Sequence, residues 1–144
     1  MPGDLHKTWR VRDRRGYHVE YGYSCMGYEV PASIGIRWAD PTREVWAMVG
    51  DGGYLMMPTE LVTAVQERTK VIVVLVQNHG FHSIGSLSAS LGSQRYGTAY
   101  RARGDGGRLD GDQLPVDLAA NARSLGAHEG AMVSPDGEVL GTHQ

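Results

Sequence analysis

Two short polar segments of this chain carry residue types that could bind a metal ion and a phosphate group. Residues 50–53 read Gly-Asp-Gly-Gly and follow an apolar run, and residues 77–80 read Gln-Asn-His-Gly and end the next apolar run. Asp51 offers a carboxylate, Asn78 an amide oxygen, and a carbonyl near Gly80 a third oxygen. Mg²⁺ prefers such hard oxygen ligands, together with phosphate oxygens and water. We therefore expect Asp51, Asn78 and Gly80 to hold Mg²⁺ beside a diphosphate.

The glycines of the first segment favour close approach of the backbone to phosphate. Gly52 and Gly53 have no side chains, so their N–H groups could approach phosphate oxygens. A helix that begins there would add a partial positive charge. Together with Gly50 and Asp51, these residues form the predicted diphosphate-binding turn.

The same tripeptide occurs a second time, at residues 104–106. This copy lies in a polar stretch with no apolar run before it, so we expect it to be a surface loop. A lone Gly-Asp-Gly favours a plain turn, and the first copy is distinguished by the strand and the distant asparagine that accompany it.

The elements that would position the site are two apolar runs, Val45–Val49 and Val71–Val76. Their uniform apolarity predicts strands that are buried on both faces, which is typical of a parallel sheet with helices on both faces and of an α/β fold. Residues 58–68 between them have helical spacing, with a proline at the start. Because parallel sheets bind ligands beyond the carboxyl ends of their strands, Asp51 and Asn78 should face one site.

The remaining segments give weaker signals. We expect helices at Val30–Ala39 and Val116–Leu125 and a short strand at Tyr17–Tyr21. Arg101–Gln113 should be a surface loop. Glu129–Gln144 should be an irregular tail, in which residues 134–137 signal a turn and no strand is clear. Residues 1–16 show no periodicity.

Composition excludes several classes of function. The 144 residues fit one domain, and a net charge of −2 gives no electrostatic reason to expect nucleic acid or an anionic membrane as a partner. No apolar run approaches the ~20 residues of a membrane span. Cys25 is the one cysteine, which excludes a disulfide framework and indicates a reducing cytoplasm.

Three alternative chemistries are less favoured. Cys25 is expected to be a small buried apolar residue and not a nucleophile. His79 and His82 are too few for a zinc site. A nucleotide-binding α/β domain would require Gly-x-Gly-x-x-Gly or Gly-Lys-Ser/Thr, and neither pattern occurs.

The spacing of the polar segments resembles that of thiamine-diphosphate enzymes, in which Asn follows Gly-Asp-Gly after about 25 to 30 residues. Here residues 53–77 separate the tripeptide from Asn78. The segment Ser24-Cys25-Met26-Gly27 is similar to the family's glycine-rich turn that cradles the aminopyrimidine. The resemblance implies that Met26 wedges the cofactor into a bent shape and that the Ser24 carbonyl bonds the pyrimidine. Thiamine diphosphate and Mg²⁺ are thus the implied cofactors, on the family's thiamine-diphosphate-binding fold.

Longer segments resemble one branch of that family, the trihydroxycyclohexane-1,2-dione hydrolases of inositol catabolism. These segments are Pro2–Lys7, Glu20–Glu29, Asn78–Phe81, Leu109–Gly111, Leu114–Asp117 and Ala119–Ala122. The resemblance implies hydrolytic opening of a small cyclic diketone to 5-deoxyglucuronate, by a full-length enzyme that is a homo-oligomer. Pro58 and His82 depart from the pattern, away from the predicted metal ligands.

The likeness extends from Pro2 to His128, so residues 1–128 are expected to be an incomplete cofactor-binding domain and residues 129–144 a divergent tail. The resemblance implies that the glutamate that activates the cofactor lies in another domain, so no catalytic residue is expected in this chain. The local glutamates Glu20, Glu29 and Glu60 lack the context for that role, and Glu60 is expected to support a helix start. Two alternatives stay open, an acetolactate-synthase-like lyase and a non-catalytic gene remnant.

Overall fold

The computed structural model describes residues 2–128, 130–133 and 139–142. In chain order the elements are α1 (Pro2–Thr8), α2 (Glu29–Ala39), β1 (Trp46–Gly50), α3 (Asp51–Met56), α4 (Glu60–Gln66), β2 (Ile72–Val76), α5 (His82–Ser90), α6 (Leu118–Ser124), β3 (Ala131–Val133) and β4 (Val139–Thr142). No helix within these ranges is long and apolar enough to cross a membrane.

The parallel α/β unit predicted from the two apolar runs is confirmed. Strands β1 and β2 pair in parallel, with Trp46 opposite Ile72 and Gly50 opposite Val76. The chain between them forms α3 and then α4, so the expected glycine turn is instead the first turn of a helix that starts at Asp51. Because Gly50 and Val76 are in register, the residues that follow both strands lie at one edge of the sheet.

One face of this sheet carries the core. Ala47 and Val49 of β1 are buried, and Val73 and Leu75 are the partners to which they are paired on β2. The core cluster joins this face to four helices through Val30, Val49, Tyr54, Leu61 and Leu118. Helix α3, which begins the candidate site, is thus fixed to the core through Tyr54.

The other face of β1 differs from the prediction. Trp46 is 56% exposed and Met48 is 38% exposed, so burial alternates along the strand. Uniform apolarity predicted burial on both faces, but within the described residues these two side chains are only partly covered. An apolar sequence allows a strand to be buried on both faces, but whether each face is buried depends on which elements pack against it.

Several local predictions are wrong and others are confirmed. Residues 17–21 form no strand, because no described strand pairs with them. The tail contains the antiparallel strands β3 and β4 where no clear strand was expected, and its predicted turn at residues 134–137 lies outside the described residues. The helices at Val30–Ala39 and Val116–Leu125 and the loop at Arg101–Gln113 are confirmed.

Candidate functional site

Asp51 stands at the junction of β1 and α3 and is completely buried. Its Oδ1 accepts a hydrogen bond from the Gly52 amide at 2.9 Å. Its Oδ2 accepts from the Asn78 amide at 3.2 Å and from the Gly80 amide at 3.1 Å. A carboxylate is buried at low cost only when such donors surround it. The structure therefore brings together Asp51, Asn78 and Gly80, as the strand ends predicted.

The side-chain amide of Asn78 points into the same place. Its inward atom lies 2.9 Å from the Gly80 carbonyl oxygen and 3.1 Å from Asp51 Oδ1. With nitrogen inward, both contacts are hydrogen bonds that this amide donates. With oxygen inward, the Asn78 oxygen faces the Gly80 carbonyl and Asp51 Oδ1, an arrangement that a bound cation would stabilise.

These oxygen separations agree with the geometry of a small divalent cation. An octahedral Mg²⁺ with ligands at 2.0–2.1 Å has neighbouring ligands about 2.9 Å apart. The distances from the Asn78 amide to Gly80 and to Asp51 match that edge length. With the Asn78 oxygen inward, the three groups therefore fit Mg²⁺. With the nitrogen inward, they hydrogen-bond to one another instead.

The turn at Gly80 is held by the segment that follows α5. Gly80 has φ +154, and a Cβ at this position would overlap the carbonyl oxygen of Thr98. The Phe81 amide donates to that oxygen at 2.8 Å, and the Tyr100 amide donates to the His79 carbonyl at 3.0 Å. Backbone contacts thus fix the direction of the Gly80 carbonyl, and only glycine is compatible with them.

Tyr100 is a residue of this site that the sequence analysis did not find. Its hydroxyl is buried without a hydrogen-bond partner in the described residues. Burial, and next the negative charge of Asp51, raise the pKa of Tyr100 above its ordinary value. The only local signal was an aromatic residue next to a loop, which does not reveal proximity to Asp51.

Packing around α3 leaves no room for a Cβ at Gly52 and little room for one at Gly53. A Cβ on Gly52 would lie 2.6 Å from Phe81 Cδ1, and one on Gly53 would lie 3.2 Å from Val49 Cγ2 and 3.5 Å from Glu29 Oε2. This Glu29 oxygen is buried without a partner in the described residues. Access of phosphate to the two backbone N–H groups stays a prediction.

The segment that resembles a pyrimidine-binding turn lies against the other end of α3. Gly27 has φ +86, and a Cβ there would lie 3.0 Å from Met56 Cβ and from Met57 Cγ. The same point is 3.5 Å from the Gly53 carbonyl oxygen. Helix α3 has six residues, or about 9 Å at the usual rise. It therefore connects the Asp51 turn to the residues against which Gly27 packs.

The side chains of this turn are more exposed than expected. Cys25 is exposed, so the expectation of a small buried residue is wrong. Met26 is 37% exposed, which also argues against ordinary core packing. The backbone of this turn is held by the carboxylate of Glu20, which accepts hydrogen bonds from the Tyr23 and Cys25 amides. The wedge role of Met26 stays a prediction.

The remaining candidates contribute little to the site. No cluster of three or more His, Cys, Asp or Glu side chains that could hold a metal occurs in residues 2–128 or in the described parts of the tail. A zinc site on His79 and His82 therefore has no support. Glu60 is the first residue of α4, which agrees with its expected role at a helix start.

Comparison with known proteins identifies the family. The family model described as "Thiamine pyrophosphate enzyme, C-terminal TPP binding domain" matches residues 1–142. A protein of Clostridium perfringens (strain 13 / Type A), named 3D-(3,5/4)-trihydroxycyclohexane-1,2-dione hydrolase, is 47% identical over 126 residues, covering 88% of this chain and 20% of that protein. The protein of the same name from Clostridium tetani (strain Massachusetts / E88) is 45% identical over 127 residues, with the same coverage.

A solved structure supports the fold. The thiamine diphosphate-dependent 4-hydroxybenzoylformate decarboxylase of Rhodococcus jostii RHA1 is similar with a TM-score of 0.53 and 24% identity, covering 70% of this chain and 17% of that one. The chain spans about a fifth of the length of the curated relatives it matches. On the family match and the identity of these relatives, the chain belongs to the thiamine pyrophosphate enzymes, as a C-terminal TPP-binding domain.

Proposed function

We propose that this chain binds thiamine diphosphate through Mg²⁺ and serves an enzyme that opens trihydroxycyclohexane-1,2-dione with water, giving 5-deoxyglucuronate in inositol catabolism. The observation that carries the proposal is that the Asp51 carboxylate, the Asn78 side-chain amide and the Gly80 carbonyl meet at the end of two parallel strands. The choice of substrate is supported by the relatives that share 45–47% identity with this chain and bear that enzyme's name.

Each part of the site has a separate task in this proposal. The Asp51 carboxylate, the Asn78 amide oxygen and the Gly80 carbonyl hold Mg²⁺, and the backbone from Gly50 to Gly53 approaches the diphosphate. Ser24, Cys25 and Met26 hold the pyrimidine end. The bound cofactor supplies a sink for the electron pair released when the C–C bond of the substrate breaks.

The contribution of the chain's own residues is to position and not to transfer protons. Asp51 and Tyr54 are both buried and fix the first turn of α3 at its start and its end. The groups that bind the cofactor are therefore in position before it binds. Preorganisation of this kind is worth several kcal/mol in an oriented reaction. We expect the glutamate that activates the cofactor to lie outside this chain. We also expect the whole enzyme to be a cytoplasmic homo-oligomer.

A chimera tests the proposal. The 126 matching residues of the Clostridium perfringens relative are replaced by those of this chain, and formation of 5-deoxyglucuronate is followed with Mg²⁺ and thiamine diphosphate. We expect turnover in the chimera, its loss with Asp51→Ala, and its retention with Asp105→Ala in the second Gly-Asp-Gly.

Two results would contradict parts of the proposal. A folded chimera that binds the cofactor but does not open the dione would make the substrate wrong and favour another thiamine-diphosphate lyase. A folded chimera that binds no cofactor would contradict the whole proposal and favour a non-catalytic remnant.

A further inference from the structure

Glu20 makes contacts that the proposed function does not use. Its Oε1 accepts a hydrogen bond from the Tyr23 amide at 2.8 Å, and its Oε2 accepts one from the Cys25 amide at 2.9 Å. These two bonds hold the pKa of Glu20 below its usual value. One carboxylate therefore spans the turn that leads into Met26 and Gly27.

The residue between the two bonded amides has an unusual backbone. Ser24 has φ +52, in the left-handed region that costs a residue with a side chain roughly 1–2 kcal/mol. Such a conformation persists only where surrounding contacts hold it. The bonds from Tyr23 and Cys25 to Glu20 lie on both sides of Ser24 and supply that constraint.

Peptide geometry converts these bonds into a direction for one carbonyl group. The carbonyl of Ser24 and the N–H of Cys25 belong to the same peptide unit, which is planar, and the described residues contain no cis peptide bond. In a trans peptide the C=O and the N–H point in opposite directions. Since the Cys25 N–H points to Glu20, the Ser24 carbonyl points away from Glu20 and is not used by it.

We propose that Glu20 is a positioning residue that aims the Ser24 carbonyl at the exocyclic amine of the cofactor's pyrimidine. The inference rests on the proposed function, because it takes thiamine diphosphate as the ligand of this turn. A carbonyl oxygen accepts only from a donor, so the aimed group selects an amine over an oxygen at that position of the ring. Glu20 itself touches no ligand atom.

The test compares three probes in the presence of Mg²⁺. Calorimetry measures the Kd of thiamine diphosphate, of an analogue whose exocyclic amine is replaced by oxygen, and of inorganic pyrophosphate. In the parent chain we expect the amine to be preferred over oxygen. In Glu20→Ala we expect affinity for thiamine diphosphate to fall on the order of tenfold. Affinity for pyrophosphate should stay within about twofold, since the Asp51 site is unchanged.

Two further variants complete the design. Glu20→Gln keeps the shape of the side chain and one acceptor oxygen, so it folds in the same way and should lose about threefold in thiamine diphosphate affinity. Glu67→Gln makes the same chemical change at the exposed C-cap of α4, at the opposite edge of the sheet, and should change none of the three constants.

The outcomes separate the inference from the function on which it rests. A lower preference for the amine in both Glu20 variants, with pyrophosphate unaffected, supports the positioning role. Equal loss for all three probes, or no loss, overturns it and leaves the proposed function intact. A parent chain that binds neither thiamine diphosphate nor pyrophosphate overturns both.

Discussion

The chain contains Gly-Asp-Gly twice, and the two copies have opposite surroundings. Asp51 follows a strand, is completely buried, and accepts hydrogen bonds from three backbone amides. Asp105 lies in the exposed turn of the Arg101–Gln113 loop, and its carboxylate makes no hydrogen bond to any described residue. The tripeptide alone therefore specifies no site. The neighbouring strand β2, whose end delivers Asn78 and Gly80, makes the difference.

The largest expected effect on stability comes from replacing glycines in the two regions by alanine. Gly80→Ala puts a Cβ into the Thr98 carbonyl and should cost about 3 kcal/mol of unfolding free energy. Gly107 beside the second copy has φ +75 but open space, so Gly107→Ala should cost about 1 kcal/mol from backbone strain alone. Gly106 has neither constraint, and Gly106→Ala should stay within about 0.5 kcal/mol.

Urea unfolding at equilibrium measures this series. Equal costs at Gly80 and Gly106 would contradict the assignment of the first region as a rigid turn and the second as an open loop.

A smaller effect is expected from a charge added to each region. Asn78→Asp places a second carboxylate about 3 Å from Asp51. Like charges at that distance should cost about 1–2 kcal/mol without a cation. Mg²⁺ should then recover the loss, so the melting temperature of this variant should depend on Mg²⁺ more steeply than that of the parent.

The control is Gln113→Glu, which adds the same charge to the exposed end of the loop that carries the second copy. Its melting temperature should respond to Mg²⁺ as the parent does. An Asn78→Asp variant that is insensitive to Mg²⁺ would mean that no cation lies between these oxygens.

The part of the site that the sequence could predict depends on strand ends. Two apolar runs indicated two parallel strands, and parallel pairing determines that Asp51 and Asn78 meet. Helix α4 followed from apolar residues at helical spacing, because local periodicity reports which face a helix buries. Helices α2 and α6 followed from runs of small and apolar residues that end at a helix-terminating signal.

The features that the sequence could not predict depend on distant contacts. Tyr100 gains its environment from Asp51, which only folding brings near, so it has no local pattern. Glu20 bonds amides only three and five residues ahead, but these bonds depend on the left-handed backbone of Ser24, which no residue pattern indicated. The exposure of Trp46 depends on what lies beside the sheet, which apolar composition does not report.

Two missed helices have the same kind of explanation. Helix α5 contains Gly85, where a Cβ would lie 2.8 Å from Thr98 Oγ1, so packing against Thr98 selects a residue that weakens the helical signal. Helix α1 is only seven residues long and is too short for periodicity to be read.

The central claim is that Asp51, and not the identical motif at Asp105, holds Mg²⁺ and the diphosphate. Titration calorimetry of thiamine diphosphate into the parent chain, Asp51→Asn and Asp105→Asn, each with Mg²⁺ and with chelator, tests it most directly. The account predicts Mg²⁺-dependent binding in the parent and in Asp105→Asn, with no detectable binding in Asp51→Asn because the charged ligand is lost. Binding by Asp51→Asn with the affinity of the parent, or binding by the parent that chelator leaves unchanged, would contradict it.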